Sequence, residues 1–441
     1  MADLVVQAFV DGHWQDALNI HFDDPGRHPV NSPCSCRYLA SFLAQYLTES
    51  GPSLQHAVSA NLPLSWDVVR LSHWPAFLFD IVPSGAARRF LLPRLALVSG
   101  QATQPAFELL ARCTLAPIGQ LRIREAATIG EERAPIAFRR DQAIDQGPDF
   151  LDHAYAQGAP LGSATGAGGD APKLLLTQGT QGELYLDGTL ADDFAARHWL
   201  VKFPRNQGRA VDKDVLRSEY RYYLAVDSLG LETIPVDGLM LEEGRQPSLW
   251  LPRFDRRPGA AGLERVAVES IYSLTGTLVP GSYLGHLDAI EALVRVWRAS
   301  GQDAAIPGLL DEYLLRDLLN QVVGNTDNHG RNAAILRDGE GVRLAPIYDL
   351  APMAMDEQGV TRATRWPAPV EQGGTINWRE VCQLLAAWDD PERLWLALRQ
   401  NAERLRALPD LLQPVLPTSA WEHPRILLRW LDSYLQKADL R

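Results

Sequence analysis

Between Leu314 and Asp349 the chain passes through three patterns that few folds satisfy together. Leu314, Leu315, Leu318, Leu319, Val322 and Val323 recur at helical spacing, which predicts a buried helix stopping at Gly324. Ala333-Ala334-Ile335-Leu336 and Val342-Arg343-Leu344-Ala345 flank Asp338-Gly339-Glu340-Gly341, an apolar, turn, apolar order that predicts a hairpin. The loop Gly324-Asn325-Thr326-Asp327-Asn328-His329-Gly330-Arg331-Asn332 lies between helix and hairpin, and Tyr348-Asp349-Leu350 follows the second strand. The hairpin therefore returns Asp349 to the side of the loop.

That spacing has a chemical use. A phosphoryl-transfer site needs one carboxylate to orient the attacking hydroxyl and take its proton, with an amide oxygen and a second carboxylate to hold Mg²⁺ against the nucleotide phosphates. Asp327, Asn332 and Asp349 are one of each, in that order. Asp, Asn and Gly are also ordinary turn formers, so the pair Asp327 and Asn332 alone suits a plain turn. The helix before it and the hairpin after it favour the catalytic reading, with His329 orienting the loop. No Ser/His/Asp order or metal-ligand cluster competes.

Composition narrows the alternatives. With 441 residues, 46% apolar and 22% charged, there is material for two or three packed units. A net charge of -12 and a pI near 5.4 argue against strong direct nucleic-acid binding or an anionic-membrane binder. Cys34, Cys36, Cys113 and Cys382 complete no zinc site and read as reduced thiols. The first residues lack a signal-peptide pattern and no run of apolar residues is long enough to span a bilayer, so a soluble cytoplasmic protein is expected.

In chain order, residues 1–125 are rich in Leu, Pro and aromatics and predict an accessory subdomain, with a helix over Tyr38 to Tyr46. Residues 126–250 hold a glycine-rich stretch, including Gly158, Gly162, Gly166, Gly168 and Gly169, that suits either close approach to phosphate oxygens or a linker. Lys173-Leu174-Leu175-Leu176, Glu183-Leu184-Tyr185-Leu186 and Trp199-Leu200-Val201-Lys202-Phe203 read as three strands. A lysine in an apolar strand needs an anion, so Lys202 is expected to face a nucleotide phosphate or Glu219 on the next helix, unless its strand is an exposed edge. Leu249 to Arg256 reads as an inter-lobe connector, where a hinge receiving an adenine would lie. Residues 251–441 are mostly helical, with helices over Ile290–Trp297, Trp378–Trp388, Pro391–Leu405 and Pro424–Leu435 and with Trp378, Trp388, Trp395 and Trp430 in core packing.

These stretches resemble the HipA family of bacterial serine/threonine kinases, the toxin half of type II toxin–antitoxin pairs. The resemblance rests on Trp199 to Pro204, Arg253-Phe254-Asp255-Arg256, the Thr-Asp-x-His-x-x-Asn core at 326–332 and Tyr348-Asp349-Leu350-Ala351-Pro352, and it spans nearly the whole chain. It implies an α+β fold: a two-lobed, protein-kinase-like architecture related to lipid kinases, with an N-terminal accessory subdomain and a helical C-lobe. It also implies ATP and Mg²⁺ as cofactors, Asp327 as catalytic base, and Asn332 and Asp349 as metal ligands. Lys202, Lys173, Gly166, Gly168, Gly169 and Phe254 would hold the nucleotide, and Ser163 and Thr165 are the candidates for autophosphorylation.

Known members phosphorylate a protein, typically an aminoacyl-tRNA synthetase, and are inhibited by a small DNA-binding partner, so a protein substrate and a HipB-like antitoxin are expected. The chain departs from the family in its longer glycine-rich loop, which resembles a divergent stand-alone branch, and in Pro252, which replaces an acidic residue before the hinge. The expected activity is phosphorylation of a protein Ser or Thr hydroxyl. The alternatives are a nucleotide-binding regulator without transfer activity and a kinase for a small hydroxylated molecule.

Overall fold

A computed structural model describes residues 1–47, 54–99, 104–131, 134–157, 159, 169–259 and 262–441. Its first sheet is built from β1 (Ala2–Val10), β2 (His13–Phe22), β3 (Cys34–Tyr38), β4 (Val69–Leu71) and β5 (Leu121–Ile123) in the order β4-β3-β2-β1-β5. Asp11 and Gly12 join β1 to β2 with φ of 52° and 82°, the doubly left-handed turn that an Asp-Gly pair supplies to a tight hairpin. One face of this sheet buries Val6, Ala8, Leu18, Ile20, Phe22, Cys34 and Cys36 against Phe42, Leu43 and Tyr46.

The helix expected over Tyr38 to Tyr46 covers only Ala40–Tyr46. Tyr38 instead ends β3, paired with Leu18 and donating its hydroxyl to Leu62 O at 2.6 Å, so tertiary pairing overrides the local pattern. All four cysteines are free and buried.

The second sheet comprises β6 (Lys173–Gly179), β7 (Leu184–Leu186), β8 (Ala195–Lys202), β9 (Met240–Glu243) and β10 (Pro247–Pro252) in the order β7-β6-β8-β10-β9. The three strands read from the sequence are β6, β7 and β8. Side chains alternate across a strand, so Trp199 and Val201 join Trp250 and Leu174 in one core. Leu200 and Lys202 then face the opposite side, where Leu249 and Leu251 pack with the helix Ala210–Ser228. Lys202 is therefore a buried residue at the end of a central strand rather than an edge lysine.

A short hairpin, β11 (Arg256–Gly259) with β12 (Gly262–Arg265), leads to β13 (Ala267–Ser270). A two-residue strand, β14 (Leu284–Gly285), comes next. Then β15 (Ala334–Asp338) and β16 (Gly341–Leu344) form the expected hairpin, with β15 also paired to β13. The helix before the loop runs Ile306–Val323, opened by Pro307 in its first turn and closed by Gly324 at φ 70°, the left-handed stop that glycine provides. With helices His286–Ala299 and Pro391–Leu405 it forms the largest core, containing Leu310, Leu314, Leu318, Leu319, Val322 and Leu398.

Two further helical expectations are corrected. The helix expected over Trp378–Trp388 ends at Leu384, and the one over Pro424–Leu435 is a single 3-10 turn, Leu428–Trp430, followed by the helix Leu431–Lys437. That change of phase turns Trp430 outward to 56% exposure, whereas Trp378 and Trp395 are core residues and Trp388 is half-buried. Among the described residues no helix is long and apolar enough to cross a membrane.

Candidate active site

Lys202 Nζ donates to Glu219 Oε1 at 2.6 Å and also to Asp349 Oδ1. Glu219, on the helix Ala210–Ser228, also accepts from the Tyr223 hydroxyl at 2.8 Å, and that hydroxyl accepts from Leu350 N at 3.3 Å. One buried triad thus fixes the backbone on the C-terminal side of Asp349. Burial opposes the Lys202 ammonium, but the two carboxylates outweigh it and push its pKa up. Burial likewise opposes the charge on Asp349, yet Lys202 and Lys173 hold its carboxyl below the usual carboxylate range. Asp349 sits at φ 53°, in the left-handed region. A non-glycine residue there is uncommon, although Asp tolerates it better than most, and the surrounding bonds enforce it.

Lys173 stands directly opposite Lys202 in the β6–β8 register. Burial lowers its pKa, while Asp349, Glu219 and Asp327 favour its charged form and Lys202 opposes it. Two lysines and three carboxylates therefore share one electrostatic environment. Removing Asp349 from it would leave two adjacent ammonium groups with much less compensation.

Asp327 lies in the loop after Gly324. Its backbone N–H donates to Asn325 Oδ1 at 3.3 Å, and Asn325 Nδ2 donates to Asp349 O at 3.3 Å, so one amide ties the two acidic segments. Asn332 Nδ2 donates to Asp327 O at 2.8 Å, which leaves the amide oxygen as its free acceptor. Burial raises the Asp327 pKa, Asp349 adds to this, and His329 and Arg205 oppose it. His329 stacks on Tyr272 at 5.9 Å between ring centres, accepts from Arg331 N through Nδ1 at 3.2 Å, and keeps Nε2 3.7 Å from Asp327 Oδ1. Burial lowers its pKa against the pull of Asp327 and Asp349, and the stacked, hydrogen-bonded ring shapes the loop.

The glycine-rich stretch is described only from Gly169 onward; Gly166, Gly168, Ser163 and Thr165 lie outside the described residues. Gly169 has φ 103°, which favours glycine, and a β-carbon built there would lie 2.4 Å from Lys173 Nζ, so a side chain at 169 would displace the ammonium. The carbonyl of Gly169 accepts from Ala86 N at 3.0 Å, at the start of the helix Gly85–Ser99. Arg89 on the same helix donates to Asp170 Oδ1 at 3.0 Å. The N-terminal region thus holds the end of the glycine-rich segment.

Phe254 is half-buried, with its ring 5.7 Å from that of Tyr348, and Tyr348 donates its hydroxyl to Arg331 O at 2.7 Å. The charged neighbours of Phe254 are buried. Arg253 grips Asp255 and Asp187, Arg256 donates to Asp255 Oδ2 at 2.8 Å, and Gly119 N donates to the same oxygen at 2.7 Å. These residues rivet the connector to the 117–119 segment. Two surface cavities, of about 290 and 420 Å³, lie elsewhere, one beside β1 and β12 and the other beside Tyr283 and Asp288.

Mg²⁺ takes oxygen ligands, keeps several waters and commonly uses one or two carboxylates beside substrate phosphates. The Asp349 carboxylate and the free Asn332 amide oxygen fit that demand. Among the described residues no group of three or more His, Cys, Asp or Glu forms a fuller metal cage.

Comparison with known proteins defines the class. The HipA-like C-terminal domain family matches residues 165–407, more than half of the sequence and all of the described site strands and loops. The fold is that of the HipA toxin of Shewanella oneidensis MR-1, solved with HipB and its operator DNA: the TM-score is 0.64 at 17% identity, over 99% of this chain and 96% of that one. A Sinorhizobium fredii protein named as a kinase, Y4mE, is 34% identical over 129 residues. That match takes in 28% of this chain and 29% of the relative, so the chain spans less than a third of the curated protein it matches. The chain belongs to the HipA-like family and has its α+β kinase-like fold.

Two site neighbours, Arg205 and Asp80, carry no signal in the sequence. Arg205 lies 3.7 Å from Asp327, Arg331 faces Asp80 at 3.8 Å, and Asp80 accepts from Ser270 N at 2.9 Å and Ser270 Oγ at 2.7 Å. Burial pushes the Asp80 carboxyl up to about 6, against the opposing pull of Arg331. Asp80 belongs to the N-terminal region, where sequence patterning shows no catalytic constellation. Nothing local in Phe79-Asp80-Ile81 announces a contact with a loop so distant in the chain.

Proposed function

We propose that this protein is an ATP- and Mg²⁺-dependent kinase that transfers the γ-phosphoryl group to a Ser or Thr hydroxyl of a protein. The observation that carries the reading is the shared environment of Lys173, Lys202, Asp327 and Asp349, four residues from four separate segments. Asp327 orients the acceptor hydroxyl and takes its proton as the oxygen attacks the γ-phosphorus; the bond from that phosphorus to the bridging oxygen breaks, and ADP leaves. Its raised pKa makes it a better proton acceptor than an ordinary aspartate. Lys202 and Lys173 hold phosphate oxygens, and Gly169 allows backbone to approach them. Asn332 and Asp349 would hold Mg²⁺, which would offset the charge of the phosphates.

Phe254 borders the adenine side in this reading, and Gly166 and Gly168 would continue the phosphate-facing backbone. Ser163 and Thr165, in the same stretch, are the proposed autophosphorylation positions. The Shewanella protein is held with HipB on operator DNA; by analogy a HipB-like partner is proposed here, with the cytoplasm as the site of action. Phosphoproteomics after inducing the native chain and Asp327→Asn tests the substrate class. New phosphoserine or phosphothreonine on proteins, native chain only, is the expected result. Transfer confined to small hydroxylated acceptors in a parallel panel would select a small-molecule kinase, and nucleotide binding without any transfer would select a regulator.

A further inference from the structure

Arg205 is a cation that the assignments above leave unused. It lies just beyond Lys202 in the loop Phe203-Pro204-Arg205-Asn206, and its side chain is 17% exposed. Three carboxylates ring it: Asp356 at 3.6 Å from Nε, Asp327 at 3.7 Å from Nη1 and Asp170 at 3.7 Å from Nη2. All three separations exceed hydrogen-bond length. Nε is buried without a hydrogen-bond partner, and the Met353 sulfur, 3.6 Å from Nη1, is a weak acceptor.

Some arginines of this chain spend their forks fully on one carboxylate, although Nε of Arg331 is orphaned like that of Arg205. Arg217 grips Glu243 at 2.8 and 2.9 Å, and Arg393 grips Asp311 at 2.8 and 2.7 Å. Arg205 is thus surrounded by opposite charge but poor in hydrogen bonds. It sits between the end of the glycine-rich segment, the proposed base and the turn at Met353–Met355. A planar guanidinium with unspent donors suits a phosphoryl group, whose oxygens can take two parallel N–H bonds.

Position decides which phosphoryl group. The acceptor hydroxyl must lie between Asp327 and the γ-phosphorus, so a cation beside Asp327 is beside the γ-phosphoryl. Lys202, tied to Asp349 and Glu219, is left for the other phosphates. We propose that Arg205 binds the γ-phosphoryl group of the nucleotide and stabilises the charge spread over its oxygens during transfer. This assignment deepens the kinase reading and rests on it. A purely structural Arg205, neutralising three carboxylates, would act on folding and leave the discrimination between tri- and diphosphate unchanged.

Equilibrium binding of the β,γ-imido analogue of MgATP and of MgADP separates these roles without requiring turnover. In Arg205→Met the preference for the triphosphate over the diphosphate is expected to fall at least tenfold, and turnover on a phosphorylatable acceptor by about a thousandfold, the range of a transition-state arginine. Arg205→Lys keeps the charge, lacks the fork and is expected to lose at least threefold of the same preference. It supplies the reading if the Met variant fails to melt cooperatively. A folded variant whose preference stays within threefold of native would overturn the proposal. A native chain that binds neither nucleotide would instead sink the kinase reading, and this proposal with it.

Discussion

Gly85 and Gly169 meet so closely that a β-carbon built on Gly85 would lie 2.0 Å from the Gly169 carbonyl oxygen. Gly85 also has φ 55°, where an L side chain is strained. Gly85→Ala must therefore displace either the first turn of its helix or the end of the glycine-rich segment. We expect a loss of nucleotide affinity of about tenfold or more, equivalent to ~1.4 kcal/mol. Gly230→Ala is the control, because Gly230 has a similar φ of 68° and nothing within 4 Å of its added carbon. Equal affinities in the two variants would show that the contact does not position the loop.

Lys202→Met leaves Glu219, itself 3% exposed, without its buried counter-charge. Breaking one side of a buried pair costs about 3–5 kcal/mol, so chemical denaturation should show that loss at neutral pH. Lys202→Met combined with Glu219→Gln should recover part of the stability and none of the nucleotide binding. Recovery of binding in the double variant would deny Lys202 its place on the phosphates.

His286 gives a pH dependence of defined sign. Burial holds its pKa down at about 4, partly offset by Asp317 and reinforced by Arg362. Its ring stacks on Trp366, and Nδ1 lies 2.8 Å from the Tyr313 hydroxyl. The unfolded chain binds this proton near the ordinary histidine value of about 6.5, so the neutral ring's stability is complete above that pH and is lost as pH falls towards 4. The loss amounts to about 3 kcal/mol across the window. Urea unfolding from pH 7 to 4 should show that decrement for the native chain relative to His286→Gln. Parallel pH profiles would show that the ring titrates normally.

Legibility in the sequence followed the range of the forces involved. The helix Ile306–Val323, the hairpin β15–β16 and the strands β6 to β8 were readable because each satisfies a local period and ends on a glycine or turn. The pairing of Lys202 with Glu219 was readable because an unpaired lysine in an apolar strand is costly. Arg205 and Asp80 were not, since their neighbours come from segments far away in the chain and a single charged loop residue has no pattern. Trp430 misled because the helical period was extended through Leu427 to Trp430, where the backbone changes to a 3-10 turn before the final helix.

The central claim is that Asp327 is the base of a phosphoryl-transfer site. Transfer of labelled γ-phosphate to protein, measured beside MgADP affinity in the native chain and in Asp327→Asn, tests it most directly. The account predicts a fall in transfer of about 10²–10⁴-fold with MgADP affinity within threefold of native, and an acid limb of the native rate lying above the ordinary aspartate range. Transfer that persists undiminished in Asp327→Asn would contradict it.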